Sequence, residues 1–169
     1  MTLRCCRAVL TSMPEGIEVI VADDGSTDGT ADLLAREVPS VRIVRLEPNR
    51  GFAPAANRGV AAATGRIILL LNSDAIVSAD ALSAFLAAFD DPSFGVAGAR
   101  LLNVDGSPQW SGGRTPTLLW MIGVVSGAGP LARFFRRRRA VQRDVDWVSG
   151  AAMAFRREVW SAAGPLDER

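Results

Sequence analysis

The stretch 17-IEVIVADDGSTDGTADLL-34 decides how the rest of the sequence is interpreted. A short β-branched run over residues 17–22 predicts a strand, and the loop after it carries the carboxylates of Asp23, Asp24 and Asp28. A segment of helical length follows the loop. Strands that alternate with helices in this way are typical of α/β folds, in which ligands bind outside the carboxyl ends of the strands. We therefore expect the acidic loop to belong to a functional site.

The same strand–loop–helix unit recurs along the chain. Apolar runs that are hydrophobic on both faces are typical of strands buried between helices in a parallel sheet. The sequence therefore predicts an α/β fold with a mostly parallel sheet flanked by helices. The regular alternation ends after residue 102 and returns over residues 144–160. Further strands are predicted at 41–46 and 66–72, and helices at the N-terminus and at 30–38, 53–64 and 79–90.

Composition narrows the possible chemistry. The chain has no histidine, which excludes histidine-based triads and histidine-ligated zinc and leaves carboxylates for proton transfer or metal binding. A formal net charge of +1 gives no overall field that would attract nucleic acid. The adjacent Cys5 and Cys6 are interpreted as buried thiols of a reducing cytosol, because neighbouring helical side chains point apart. We expect neither a signal peptide nor a transmembrane segment.

A second acidic strand end lies at 72-NSDA-75, after the most hydrophobic predicted strand. A hard cation that bridges two phosphates needs oxygen ligands on a rigid element, and Asp74 offers one carboxylate. Helix capping is the alternative interpretation of both acidic loops. For the second loop, Ser78 and Asp80 are better placed than Asp74 to cap the next helix.

Between the two acidic loops lies 49-NRGFAPAANRG-59, in which Gly51 permits a tight turn and Pro54 fits the first turn of a helix. An ordinary loop-to-helix junction would have the same composition. Neither a P-loop lysine motif nor the dinucleotide-binding glycine motif is present in the sequence.

Five segments together resemble family 2 glycosyltransferases, specifically the bacterial rhamnosyltransferase-like group with the GT-A fold. They occur in the order and with the spacing of that family, and they span nearly the whole chain. The segments are 18-EVIVADDGSTDGT-30, 49-NRGFAPAANRG-59, 69-LLLNSDA-75, 146-DWVSGAAMAFRRE-158 and 164-GPLDER-169.

The resemblance implies a nucleotide-sugar site in the first half of the chain, with UDP or dTDP as the nucleotide. It assigns Asp23 to the base, with Asp24 and Ser26 nearby. It also places Asn49, Gly51 and Asn57 in a second nucleotide-facing segment.

Asn72-Ser73-Asp74 resembles the metal motif of the family, often written Asp-x-Asp. The departure is Asn72, which carries no charge and is assigned to the nucleotide side. Asp74 would then be the principal protein ligand of Mg²⁺ or Mn²⁺, with the metal held mainly by the diphosphate of the sugar nucleotide.

The implied reaction is transfer of a sugar, with inversion, to a saccharide or lipid-linked acceptor in cell-envelope polysaccharide synthesis. Asp146, Trp147 and Gly150 resemble the acceptor side, with Trp147 as a sugar-stacking face, although core packing would equally explain this tryptophan. The usual base of the family would lie beyond Arg169, so the resemblance assigns no catalytic base within the chain.

Compared with the family, the chain is expected to be truncated at both ends. We expect a single partial GT-A domain without the usual first strand and C-terminal part, a fragment that would be inactive by itself. Its nucleotide-sugar half would span 1–102 and its acceptor-side half 103–169, with a basic insert over 114–143.

The basic stretch 133-RFFRRRR-139 is a candidate for membrane contact. Arginines can meet anionic headgroups while aromatic side chains lie at the interface, so we expect a cytoplasmic protein that touches the inner face of the membrane through Arg136, Arg137, Arg138 and Arg139. A solvated charge run is the alternative. No nucleic-acid recognition module surrounds these arginines, so no nucleic-acid partner is expected.

Two other functions stay open at the level of sequence. A degenerate transferase could bind a nucleotide sugar without transferring it. A nucleotidyltransferase would also combine an α/β nucleotide site with a metal, but it needs a basic phosphate-gripping loop near the start, which Arg4 and Arg7 alone do not form.

Overall fold

The computed structural model describes residues 1–12, 16–115 and 144–169. The described residues form two compact units, one of Met1–Ala99 with Gly150–Arg169 and one of Arg100–Ser149. The basic stretch at 133–139 and nearly all of the predicted insert lie outside the described residues. The functional division at residue 102 therefore stays a prediction.

The first unit contains the predicted alternation of helices and strands. Each predicted element is present with ends that differ by a few residues, which confirms the α/β class. In chain order the elements are α1 Thr2–Ser12, β1 Ile20–Asp23, α2 Thr30–Glu37, β2 Arg42–Arg45, α3 Phe52–Ala62, β3 Ile67–Leu71, α4 Ala79–Ala88 and β4 Val96–Gly98. Strands β5 Gly112–Gly113 and β6 Trp147–Val148 belong to the second unit. The chain then returns to the first unit with β7 Ala152–Arg156 and α5 Arg157–Ala163.

The strands of the first unit form two sheets. β1 and β2 pair in parallel, with Asp23 opposite Arg45. β7 lies between β3 and β4 and is antiparallel to both. The pairing is thus parallel in one sheet and antiparallel in the other, because the strand that returns after residue 150 pairs between two strands of the first half of the chain.

Two apolar clusters hold these sheets to the helices. The first packs α1 and α2 on the parallel pair and contains Cys6 and Leu34. The second joins α3 to the antiparallel sheet through Val60, Ile68 and Phe155. Both cysteines are buried free thiols, as predicted.

Two adjacent arginines at the end of β7 bind this strand to the first half of the chain. Arg156 donates to the main-chain oxygens of Phe89, Phe94 and Asp91 at 2.7, 2.8 and 3.0 Å. Arg157 donates to two carbonyls at the end of α3, those of Ala63 and Gly65, at 2.7 and 2.9 Å. Carbonyl oxygens at helix ends lack intrahelical partners. These guanidinium groups bind carbonyls at and just after such ends, and the Asp91 carbonyl also accepts from the Phe94 amide at 3.2 Å.

Glu18 fixes the entry to β1. Its carboxylate accepts hydrogen bonds from the main chain of Thr64, from the Thr64 hydroxyl and from the Gly65 amide, and these bonds, foremost the one from the Thr64 amide, lower its pKa. We expect Glu18→Gln to lower the free energy of unfolding by up to about 1 kcal/mol at neutral pH, because Glu18 is exposed.

The stabilisation by Glu18 has a defined pH dependence. A carboxyl group whose pKa is lowered by folding stabilises the folded state above its ordinary pKa and loses this effect as the pH falls through the lowered pKa. Urea titrations of the wild type and Glu18→Gln should therefore differ at neutral pH and converge in acid. A difference that is independent of pH would contradict the assignment.

The second unit has a small two-stranded sheet, with β5 at Gly112–Gly113 and β6 at Trp147–Val148. The rings of Trp110 and Trp147 meet edge to face, with centroids 4.9 Å apart. No helix of the described residues is long and apolar enough to cross a membrane.

Candidate active site

Asp23 ends β1 as a buried carboxylate with an open acceptor. Its side chain is 3% exposed, and its Oδ1 accepts a hydrogen bond from the Ser26 amide at 3.1 Å. Its Oδ2 is buried and 3.7 Å from the Arg45 Nε, and it accepts no hydrogen bond from the described residues. Because a buried polar atom without a partner is costly, this oxygen is a candidate to accept a hydrogen bond from a ligand.

Asp24 organises the neighbouring loop. Its Oδ1 accepts from the Arg50 amide at 2.8 Å and its Oδ2 from the Gly51 amide at 2.7 Å. The Asn49 side chain in turn donates to the Asp24 main-chain oxygen at 2.9 Å. The structure therefore brings Asp24, Asn49 and Gly51 together, and Asp24 holds the loop that leads into α3.

Gly25 allows the two loops to approach closely. It has a φ of 73°, and a Cβ atom on it would lie 3.0 Å from the Asn49 nitrogen. A side chain at this position would therefore be strained by its backbone conformation and would also crowd the Asn49 main chain.

We expect Asp24→Ala to lower the free energy of unfolding by about 2 kcal/mol, because two amides lose a charged acceptor. Nucleotide affinity should fall as well, since the loop over residues 49–51 would lose its anchor. Urea titration and calorimetry measure the two effects. The matched control is Asp32→Ala, an exposed carboxylate in the first turn of α2, which should change stability by less than about 0.5 kcal/mol.

Ser26 and Asp28 shape the first loop. The amide of Ser26 donates to Asp23, and its carbonyl accepts from Arg45 at 3.0 Å. Asp28 accepts from the Thr30 amide at 3.0 Å, and the hydrogen bonds from Thr30 lower its pKa. The N-cap of α2 is Gly29, which makes no side-chain cap hydrogen bond, and Asp28 binds the first amide of the helix from one residue earlier.

Asn57 lies on α3 and contacts the last residues of the chain. Its side-chain nitrogen donates to the Leu166 carbonyl and to the Glu168 carboxylate, and its side-chain oxygen accepts from the Leu166 amide, each at 2.9 Å. A cleft of about 520 Å³ adjoins this contact. Its polar lining consists of Arg45, Glu47, Arg50, Asn57, Arg58 and Glu168.

The second acidic loop follows β3. Asn72, Ser73 and Asp74 are exposed. The main-chain amide of Asn72 donates to the Ala151 carbonyl at 2.9 Å. Ser78 caps α4 by accepting from the Ala81 amide at 3.2 Å, so this helix does not use Asp74 as its cap.

Cys5 lies beside the second acidic loop. Its thiol donates to the Asn72 carbonyl at 3.6 Å. Burial, followed by Cys6 and then by the negative charge of Asp74, raises the pKa of the Cys5 thiol. Cys5 is therefore a neutral neighbour of the loop at physiological pH.

Asp74 fits a metal that is held mainly by another ligand. Its carboxylate accepts no hydrogen bond from the part of the chain that the structure describes. Within that part, no group of three or more histidine, cysteine, aspartate or glutamate side chains could hold a metal. A divalent cation at Asp74 would thus take most of its oxygen ligands from elsewhere, as Mg²⁺ does when it is bound by one or two carboxylates and a substrate phosphate.

The predicted acceptor-side residues fall in different units. In the second unit, Asp146 accepts from the Thr115 amide at 2.7 Å, which lowers the pKa of Asp146, and Trp147 is half-buried against Trp110. Gly150 belongs to the first unit, where a Cβ on it would lie 3.2 Å from the Phe52 ring. The close approach that this glycine permits is therefore to a side chain of α3.

Sequence reasoning missed three charged residues near the first loop, namely Arg45, Arg50 and Glu168. Arg45 could have been found, because parallel pairing of the two predicted strands places it opposite Asp23. The contact between Arg50 and Glu168, at 3.4 Å, joins residues far apart in the sequence and has no local signal.

The family model described as "Glycosyl transferase family 2" matches residues 1–162. The chain belongs to this family. The predicted family is therefore confirmed, and with it the classification as a glycosyltransferase.

Curated relatives are similar to this family 2 chain over different parts of its length. The N-acetylglucosaminyl-diphospho-decaprenol L-rhamnosyltransferase of Mycobacterium tuberculosis is 28% identical over 90% of the chain and 56% of its own length. The succinoglycan biosynthesis protein ExoO of Rhizobium meliloti is 41% identical over 47% of the chain and 23% of its own length. The chain thus spans little more than half the length of this rhamnosyltransferase.

A solved structure shows the same fold. The mannosyltransferase PcManGT from Pyrobaculum calidifontis, in complex with GDP-Man and Mn²⁺, matches with a TM-score of 0.54 and 24% identity. The match covers 89% of the chain and 38% of PcManGT. This similarity supports the GT-A fold of the family 2 domain.

Proposed function

We propose that the protein transfers a sugar, with inversion, from a nucleotide-sugar donor to a saccharide or lipid-linked acceptor. One observation carries the proposal. Two strands of a family 2 fold each end at or shortly before a carboxylate that could bind a ligand. Asp23 has a buried oxygen, and Asp74 is exposed; neither this oxygen nor the Asp74 carboxylate accepts a hydrogen bond from residues 1–12, 16–115 and 144–169.

In this proposal Asp23 binds the nucleoside. Its Oδ2 can accept a hydrogen bond from a base or ribose, and Ser26 and Arg45 hold the carboxylate in place. Asp24, Asn49 and Gly51 order the adjoining loop through the hydrogen bonds described above. Asn72 places the following residues by its main-chain bond to Ala151.

Asp74 holds Mg²⁺ or Mn²⁺ in this proposal, together with the diphosphate of the donor. The metal, when bound, neutralises negative charge on the departing nucleoside diphosphate. The exposed position of Asp74 leaves room for the diphosphate.

The removal of the acceptor proton is assigned to no residue of the chain. Asp167 is bound by Arg169 at 2.9 Å and Glu168 by Asn57 at 2.9 Å, so neither carboxylate is poised as a base.

The donor is proposed to be a UDP- or dTDP-sugar. Its test is transfer to a saccharide or a lipid-linked saccharide with Mn²⁺ by a protein that also carries the family's usual base. UDP-, dTDP- and GDP-sugars are used in parallel, and NMR determines the anomeric configuration of the product. Transfer with inversion from a UDP- or dTDP-sugar is expected. Retention would contradict the inverting mechanism, and transfer from GDP-sugars alone would contradict the proposed donor. Binding without transfer would favour the non-catalytic alternative.

A role in cell-envelope polysaccharide synthesis at the inner face of the membrane is part of the proposal. It is supported by the names of the rhamnosyltransferase and ExoO relatives and by the four arginines at 136–139. The chain should co-sediment several-fold more with anionic than with neutral liposomes, and replacing the four arginines by glutamine should remove the difference. Equal binding to both liposomes would contradict membrane contact through these arginines.

A further inference from the structure

The side-chain amide of Asn57 is almost fully engaged within the chain. Its Nδ2 donates to the Leu166 carbonyl and to Glu168 Oε1, and its Oδ1 accepts from the Leu166 amide, all at 2.9 Å. An asparagine amide has two N–H donors and one oxygen acceptor. Both donors are used, so Asn57 could donate to a nucleotide only by giving up one of these contacts.

Glu168 connects this contact to the loop before α3. Its Oε1 accepts from Asn57, and its Oε2 lies 3.4 Å from the Arg50 guanidinium. The main-chain amide of Arg50 is bound by Asp24 at 2.8 Å. A continuous set of polar contacts therefore runs from Asp24 through Arg50 and Glu168 to Asn57.

We propose that Asn57 is a positioning residue, which fixes the segment over residues 165–168 beside the loop at 49–51 and does not contact the nucleotide. The inference rests on the proposed function only in taking that loop to face the donor. Asn57 acts through Leu166 and Glu168 and so holds the C-terminal segment, whereas the donor loop is held by Asp24.

Amide hydrogen exchange at Leu166 in the full 169-residue chain tests the positioning without any activity. Asn57→Leu should raise the exchange rate about tenfold, because the acceptor of the Leu166 amide is lost. Asn57→Asp should also raise it, since it removes both donors and sets a second carboxylate against Glu168. The double variant Asn57→Asp with Glu168→Gln should regain most of the protection, because the new amide can donate to the new carboxylate.

Calorimetry with UDP and Mn²⁺ supplies the second readout. The Kd of Asn57→Leu should stay within about twofold of wild type, and a Kd raised tenfold or more would overturn the proposal. Unchanged exchange at Leu166 in Asn57→Leu, or no recovery in the double variant, would overturn it as well. If the wild type binds no nucleotide, the proposed function fails, and Leu166 exchange alone decides the positioning. Asn103→Asp, the same change in the second unit, is the control and should leave Leu166 exchange unchanged.

Discussion

Asp74→Ala is expected to lower Mn²⁺-dependent turnover of the nucleotide sugar about 1,000-fold, because the metal loses its principal protein ligand and with it several kcal/mol of charge stabilisation. The carboxylate is exposed, and a serine caps the following helix in its place, so the fold does not depend on it. Release of nucleoside diphosphate in a Mn²⁺ titration, measured in a protein that also carries the family's usual base, tests the effect.

The matched control for Asp74 is Asp80→Ala, an exposed carboxylate in the first turn of α4. Asp80 lies on the helix that follows the same loop as Asp74. The variant should keep turnover within about twofold of wild type and the free energy of unfolding within about 0.5 kcal/mol. Turnover of Asp74→Ala within threefold of wild type at saturating Mn²⁺ would show that another group binds the metal.

Arg156→Ala is expected to give the largest loss of stability, about 3 kcal/mol, since three main-chain carbonyls lose a charged donor at once. The guanidinium also lies 5.4 Å from the centre of the Phe89 ring, a cation–π contact that the alanine would remove. Urea unfolding followed by circular dichroism measures the change in the free energy of unfolding.

One variant separates geometry from charge at Arg156, and a second variant elsewhere is the control. Arg156→Lys keeps the charge but loses the planar fork, so it should recover less than half of the loss. Arg36→Ala, an exposed arginine in the last turn of α2, should change stability by less than about 0.5 kcal/mol. A loss of under 1 kcal/mol in Arg156→Ala would mean that the returning strand is held mainly by its apolar contacts.

The local pattern of apolar residues was enough to predict most helices and strands of the first unit. The β-branched run before Asp23 and the apolar spacing after Gly29 placed β1 and α2 within a few residues, because strand and helix periods act over short stretches. The pairing of β7 between β3 and β4 could not be predicted in the same way. It depends on residues more than 50 positions apart, and the sequence does not encode that register locally.

The candidate site shows the same division between local and distant information. Carboxylates after strand ends pointed to Asp23 and Asp74, but residue type alone does not say which oxygen atoms the fold itself uses. Both side-chain oxygens of Asp24 accept hydrogen bonds from the main-chain amides of Arg50 and Gly51. The side-chain amide of Asn57 binds Leu166 and Glu168. Such roles depend on distant partners and are visible only in the folded chain.

Calorimetric titration of UDP, dTDP and GDP into the full chain, first with Mn²⁺ and then with EDTA, tests the central claim most directly. A donor site formed by Asp23 and Asp74 predicts binding of UDP or dTDP that requires Mn²⁺ and weakens at least tenfold in Asp23→Ala. A folded chain that binds none of the three nucleotides, or binds them equally well in EDTA, would contradict the metal-dependent nucleotide-sugar site.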